Sequence, residues 1–341
     1  MRKTWCKTAL FALAMTAAFM PVASGQNRNT RSIARIKIGT IAPKGTPWYQ
    51  ILERIQDEWR KDSVELDIYN NVGDEPKMLR DVRIGALDGL GISGAGLGRI
   101  VPGAGAAQIP MLVDSYGQLD YVLNGLRPRL EKDLAASEPG FVVLNWSDVG
   151  FVHFFTKTAI HTPSQLKPLK LFTSAGDTKT EKIYRDLGFN PIPLALTDML
   201  QALTTGSIEA FDVPPLFALS DQSFSQTDYM LDLKWAPVIG TTIVSNRAWN
   251  RIPKDLQPKL LESGHAAGIE FQARIHDMEE SAIAKMAAIK KKNFVTRLTP
   301  AEIGEWRKFA VEVAYPRLRG PIIPADYFAE AERLSREAAA R

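Results

Sequence analysis

The residues with the most distinctive chemistry are four histidines, His153, His161, His265 and His276, and a single cysteine, Cys6. Glu262, His265, Gln272 and His276 could share one helix face and are the only arrangement resembling a metal site. The polar face of any long helix presents the same pattern, so no metal is expected. No serine sits in a GxSxG elbow and no HExxH occurs, which leaves hydrolase and metalloenzyme readings without support. Gly89-Leu90-Gly91-Ile92-Ser93-Gly94 matches the dinucleotide pattern GxGxxG, with Asp114 at about the right distance. Its context is wrong, because a helix precedes it, the glycines fall inside an expected strand, and Pro102 and Pro110 interrupt the crossover that should follow. A close backbone approach to a ligand or a neighbouring strand explains the glycines better, and no cofactor is expected. Trp48, Trp146, Phe151, Phe154, Phe155, Phe172, Phe211 and Trp235 fall near expected strand ends or loops. Part of this set is core, and the rest is material for an apolar small-molecule pocket. The residues therefore give catalysis no positive support and leave an apolar small-molecule pocket as the candidate site.

The elements that position these groups begin after a leader. Arg2, Lys3 and Lys7 form a positive start, residues 9–20 an apolar run, and residues 21–25 a small-residue cleavage region, so residues 1–25 read as a signal peptide for export to a periplasm. Cys6 leaves with it, so the mature chain has no thiol to form disulfides, attack substrates or ligate metal. The leader also carries three of the 42 basic residues and none of the 38 acidic ones, so the net charge of +4 falls to +1. That balance gives no basic surface for nucleic acid.

Residues 36–41 then read as a strand, followed by a turn at Pro43-Lys44-Gly45 and a helix from Pro47 with Ile51, Leu52, Ile55 and Trp59 at helical spacing. Residues 64–69 alternate as a second strand. A helix starting at residues 73–75 carries Met78, Leu79, Val82 and Ile84, and residues 89–93 form a buried strand. This β-α-β-α-β order is half of a doubly wound α/β sheet. Strands at 141–146 and 152–156 lead to a second unit over 166–214. There a strand at 169–173, a helix at 178–187 ending on Gly188, a short strand between Pro191 and Pro193, a helix capped by Thr197 and Asp198 and ended by Gly206, and a strand at 208–213 succeed one another. Ligands on such sheets sit beyond the carboxyl ends of the strands, which points to Phe172, Thr173 and Val213. Residues 239–246 return towards the first unit, and a helical region from Pro253 to about Lys292 carries Leu256, Leu260, Leu261, Ile269, Ile275 and Ile283 in an uneven stripe suited to bracing both units. The expected division is 1–25 leader, 26–150 first lobe, 151–235 second lobe, and 236–341 return strand, spanning helix and C-terminal helices.

An ordered set of short segments runs through nearly the whole mature chain. It comprises Ile38-Gly39-Thr40-Ile41-Ala42-Pro43, Gly45-Thr46-Pro47-Trp48, Gly73-Asp74-Glu75, Gly85-Ala86-Leu87-Asp88, Leu97-Gly98-Arg99-Ile100-Val101-Pro102, Thr162-Pro163-Ser164-Gln165-Leu166-Lys167, Leu187-Gly188-Phe189-Asn190-Pro191-Ile192-Pro193, Gln201-Ala202-Leu203-Thr204-Thr205-Gly206 and Ile252-Pro253-Lys254-Asp255-Leu256-Gln257. Together they resemble the DctP-like periplasmic solute-binding subunits of TRAP transporters. The resemblance implies a two-lobed periplasmic binding protein fold of α/β class, with a long helix spanning both lobes and a ligand enclosed by hinge closure. It also implies delivery to TRAP-type integral membrane permease subunits driven by an ion gradient; the chain itself is expected to be a monomer.

Most of the family pairs a substrate carboxylate with an arginine in a Lys-Ile-Arg-Val run, and that position falls here on Phe172. A second common arginine falls on Val152, and an asparagine before a proline falls on Val213, beside Pro214. A carboxylate buried without partners costs several kcal/mol, on the order of the penalty for any unpaired buried charge. The expected ligand is therefore neutral or largely apolar, in a pocket of Ile41, Trp48, Phe151, Val152, Phe172, Leu196, Val213 and Trp235, with Ser93, Thr173 and Asp212 as polar contacts. Two alternatives stand beside it: an organic acid held by a relocated cation such as Lys170 or Arg247, and a ligand sensor for a membrane partner.

Overall fold

The computed structural model describes residues 32–70, 72–175, 178–290 and 293–341. The leader expected at 1–25 lies outside the described residues, as do Gly176 and the last residues of the expected helix at 291–292. Among the described residues, strands form two sheets, one for each lobe of an α/β fold. The first contains β1 (Ala34–Thr40), β2 (Val64–Asn70), β3 (Gly89–Ser93), β4 (Phe141–Phe151) and, later in the chain, β10 (Pro237–Ser245), in the order β2-β1-β3-β10-β4. The second contains β5 (His153–Thr156), β6 (Lys170–Ser174), β7 (Asn190–Leu194), β8 (Ala210–Val213), β9 (Tyr229–Asp232) and β11 (Val295–Arg297), in the order β11-β9-β5-β8-β6-β7. β1 runs parallel to β2 and β3, as crossover helices require. β10 returns antiparallel between β3 and β4.

Local sequence accounts for the crossover helices. Thr46 caps the helix Pro47–Arg60, its hydroxyl accepting the Tyr49 N–H, and Pro47 supplies a first position that needs no N–H partner. Ile51, Leu52, Ile55 and Trp59 bury the face turned to β1 and β2. Asp74 caps the helix Glu75–Ile84, and Gly85 at φ 81° ends it in the left-handed conformation that glycine adopts without a Cβ penalty.

The lobes are joined at two strand crossings and by one helix. β4 and β5 are separated only by Val152, and the second crossing, between β9 and β10, is bonded to the first: the Val152 N–H donates to Ala236 O at 2.8 Å and the Trp235 N–H to Val152 O at 3.0 Å. The spanning helix runs Gln257–Lys290, starting later than the proline at 253 suggests. Its buried face is Leu260, Gly264, Ala267, Gly268, Phe271, Ile275, Glu279, Ala282 and Met286, whereas Ile269, expected in the stripe, is 71% exposed. The reason is close approach. A Cβ on Gly264 would stand 2.8 Å from Leu144 O, and one on Gly268 2.9 Å from Trp146 O, so small residues rather than large apolar ones seat the helix on β4. No described helix is long and apolar enough to cross a membrane.

Candidate functional site

Four neighbouring strands of the first sheet turn one face towards the space between the lobes. Thr40 from β1, Gly91 and Ser93 from β3, Gly240 and Thr242 from β10, and Asn145, Ser147 and Val149 from β4 line its floor. Ile41, Pro43 and Trp48, from the turn into the first helix, make one wall, and Leu196 and Phe217 reach over from the second lobe. The cleft has about 710 Å³ of open space, the solvent at its mouth included. Glycines keep it deep: a Cβ on Gly240 would lie 3.3 Å from Ser147 Oγ, and one on Gly91 3.1 Å from Thr40 Oγ1.

Two bulges in β4 aim its residues. Val143 pairs with Ile243 and Asn145 with Thr242, leaving Leu144 as an extra residue; Asp148 pairs with Ile239 and Gly150 with Val238, leaving Val149 extra. The bulge at Leu144 shifts the alternation by one residue, and the regular alternation after it puts Asn145, Ser147 and Val149 together on the cleft face. Ser93 is fixed from behind, its N–H and hydroxyl donating to the Glu75 carboxylate at 2.6 and 2.8 Å. No described residue lining this cleft carries an ionisable side chain.

A second cleft of about 1200 Å³ opens on the other side of Val238, which lines both. Val152, Trp235, Ala236 and Pro237 come from the crossings, Arg99 and Gln108 from the first lobe, and Lys179, Tyr184 and Asp212 from the second. The Tyr184 hydroxyl donates to Asp212 Oδ2. Burial pushes the Asp212 carboxyl up to about 7, with the Tyr184 bond opposing the rise.

Behind the clefts, the spanning helix places polar groups against the crossing. Glu279 is 4% exposed and accepts the Leu216 N–H at 3.2 Å, at the start of the helix Pro215–Ser220 that presents Phe217. Burial holds its carboxyl well above the usual carboxylate range. Gly150, at φ 106°, passes so close that a Cβ would lie 2.7 Å from Glu279 Cδ. His276 Nε2 meets Asp148 Oδ2 at 2.8 Å, and its ring stacks on Tyr116 at 3.5 Å. His276 thus serves the crossing. Among the described residues no group of three His, Cys, Asp or Glu is placed to hold a metal, so Glu262, His265, Gln272 and His276 do not assemble a site.

The residues expected to bind ligand divide three ways. Ile41, Trp48, Ser93 and Leu196 line the first cleft; Val152, Asp212 and Trp235 line the second. Phe151, Phe172, Thr173 and Val213 are among the linings of neither. Phe151 packs edge-on against Tyr116. Phe172 is 6% exposed in the second-lobe core with Phe155, Met199, Leu203 and Phe211, and Val213 packs against the same cluster. Alternation along β6 explains this: Leu171 joins the core on one side of the sheet and Phe172 the core on the other. Nor do the two suggested replacement cations reach a cleft. Lys170 Nζ donates to Gly206 O at 3.2 Å, and Arg247 to Val82 O at 3.1 Å. Asn145, Ser147, Gly240, Thr242 and Phe217 were not anticipated; a bulge leaves no mark on a single strand's sequence, and the Pro214-Pro215 step before Phe217 is the one local signal.

Residues 38–317 match the family model described as bacterial extracellular solute-binding protein, family 7 (DctP). A solute-binding protein of Chromohalobacter salexigens is 29% identical over 149 residues, 43% of this chain and 44% of that one. An uncharacterized protein of Haemophilus influenzae is 26% identical over 263 residues, 74% of this chain and 78% of that one. Among solved structures, several TRAP periplasmic solute-binding proteins share the fold. One from Ralstonia eutropha with bound (S)-2-acetolactate gives a TM-score of 0.79 at 21% identity, covering 89% of this chain and 99% of that one. Another from Sulfurospirillum deleyianum with bound succinate gives 0.77 at 20%, covering 91% and 99%. A third from Chromohalobacter salexigens with bound D-glucuronate gives 0.77 at 19%, covering 89% and 99%. The family match covers most of the chain and the fold agrees with it, so the chain belongs to the DctP family of bacterial extracellular solute-binding proteins.

Proposed function

We propose that this protein, exported by its leader, captures an uncharged small molecule in the first cleft and hands it to a TRAP-type membrane permease, with no catalysis. The single observation that carries this reading is the absence of any ionisable side chain among the described residues lining that cleft. The similar solved structures hold acetolactate, succinate and glucuronate, each bearing a carboxylate. Here the positions that the family resemblance assigns to carboxylate-binding residues are Val152, Phe172 and Val213. A carboxylate drawn from water into such a lining would lose several kcal/mol of hydration, on the order of the penalty for an unpaired buried ion. The bonded strand crossings and the spanning helix supply the hinge on which Leu196 and Phe217 close over the floor.

A second reading has one observation in its favour: Arg99 and Lys179 line the second cleft, where they could hold an organic acid. Calorimetry on the mature chain with succinate and D-glucuronate separates the two. The uncharged-ligand reading expects no saturable heat for either. Saturable binding that Lys179→Ala abolishes would replace it with the organic-acid reading.

A further inference from the structure

Two side chains on the lining of the first cleft carry buried hydrogen-bond donors without a partner. These are Nε1 of Trp48 and Nδ2 of Asn145, both shielded from bulk solvent. Asn145 is 2% exposed and sits where the β4 bulge turns it to the cleft. Other polar groups nearby are already engaged: Ser93 Oγ donates to Glu75 and accepts from the Gly96 N–H, Thr241 Oγ1 donates to Asn145 O, and Thr40 Oγ1 accepts from the Ala42 N–H. Buried donors are rarely left unpaired, because the group loses its hydration and gains nothing in return. An indole N–H can only donate, so whatever satisfies Trp48 must accept.

We propose that Trp48 and Asn145 are the polar specificity contacts of the cleft, and that its occupant is an uncharged molecule with an apolar body and a carbonyl-type oxygen: a ketone, lactone, ester or amide. This inference rests on the uncharged-cleft reading above and adds the acceptor. A hydrocarbon would leave both donors unpaired. A ketone oxygen accepts without bringing a proton that needs a partner, whereas a carboxylate accepts but has no cation to meet it.

Three ring probes of one size separate these terms: cyclohexanone, cyclohexane and cyclohexanecarboxylate, titrated into the mature chain and followed by the indole N–H resonances in nitrogen-15 correlation spectra. Trp48 is assigned with Trp48→Phe. Cyclohexanone is expected to move the Trp48 indole resonance downfield and to bind roughly tenfold more tightly than cyclohexane, the preference expected when a buried donor finds its acceptor. Trp48→Phe and Asn145→Leu should each erase most of that preference, read within each variant as the ratio of the cyclohexanone to the cyclohexane affinity. Equal affinity for cyclohexanone and cyclohexane, an unmoved indole resonance, or undiminished preference in both variants would overturn the acceptor and leave the uncharged cleft standing. Tightest binding by cyclohexanecarboxylate would overturn the uncharged cleft itself, and failure of all three to bind at millimolar concentration would count against both.

Discussion

Replacing Asp212 with asparagine gives a pH-dependent stability difference whose size follows from its position. In the folded chain the carboxyl is buried beside Tyr184 and pushed from 3.8 up to about 7. Below pH 4 both folded and unfolded forms hold the proton, and the carboxyl costs nothing. As pH rises from 4 to 7 the unfolded form releases its proton first, so stability falls by about 1.4 kcal/mol per pH decade. About three decades give a ceiling of about 4 kcal/mol, and contact with water in the second cleft reduces this to about 2–4 kcal/mol. An asparagine side chain in its place cannot ionise, and its amide oxygen still accepts from the Tyr184 hydroxyl. Asp212→Asn should therefore match the wild type at pH 4 and exceed its stability by about 2–4 kcal/mol at pH 8, with the gap opening between. Urea unfolding at half-unit pH steps measures it. A gap that stays constant within about 0.5 kcal/mol would refute the burial argument, since it would mean no difference in proton binding between the two states. A gap of opposite sign would mean that Lys179 or Arg99 stabilises the anion.

Three further changes follow from the same geometry. Gly240→Val should fill the floor of the first cleft and lower the affinity for a neutral probe at least tenfold, because its side chain starts in contact with Ser147 and Val149 on that floor; unchanged affinity in calorimetry would place the ligand elsewhere. Phe172→Ala should cost about 3–5 kcal/mol in urea unfolding, as a large-to-small change in the second-lobe core does, and a loss under about 1 kcal/mol would contradict its burial. Gly150→Ala should cost about 2 kcal/mol or more, because it forces a side chain into a positive-φ position against Glu279, and equal stability would show that the crossing is slack.

Much of the fold was legible because the residues that set it act locally. Thr46-Pro47 and Asp74 open helices, Gly85, Gly188 and Gly206 end stretches in the left-handed conformation, and alternation marks β2. The glycines of Gly89 to Gly94 lie in and just beyond β3, as their wrong context for a dinucleotide turn suggested. The spanning helix was legible in existence but not in its face, since an apolar count favours Ile269, while the contact is made by Gly264 and Gly268, whose value is the absence of a side chain. The site was legible only in part. Ile41, Trp48, Ser93 and Leu196 line one cleft and Val152, Asp212 and Trp235 another, a division that runs at Val238, which lines both. Asn145 escaped notice because its direction is set by an extra residue in the pairing of β4 with β10, a property of two strands together. Phe172 shows the converse: its type was informative about charge, yet the alternation of β6 turns it into the core.

The most direct test of the uncharged cleft is the charge of the molecule that stays bound when the protein is purified from the cells that make it. Native mass spectrometry of the protein purified without denaturation, followed by release and identification of the bound molecule, reads it. A neutral molecule with an apolar body is the predicted result. Recovery of a dicarboxylate or sugar acid as the bound species would contradict the account.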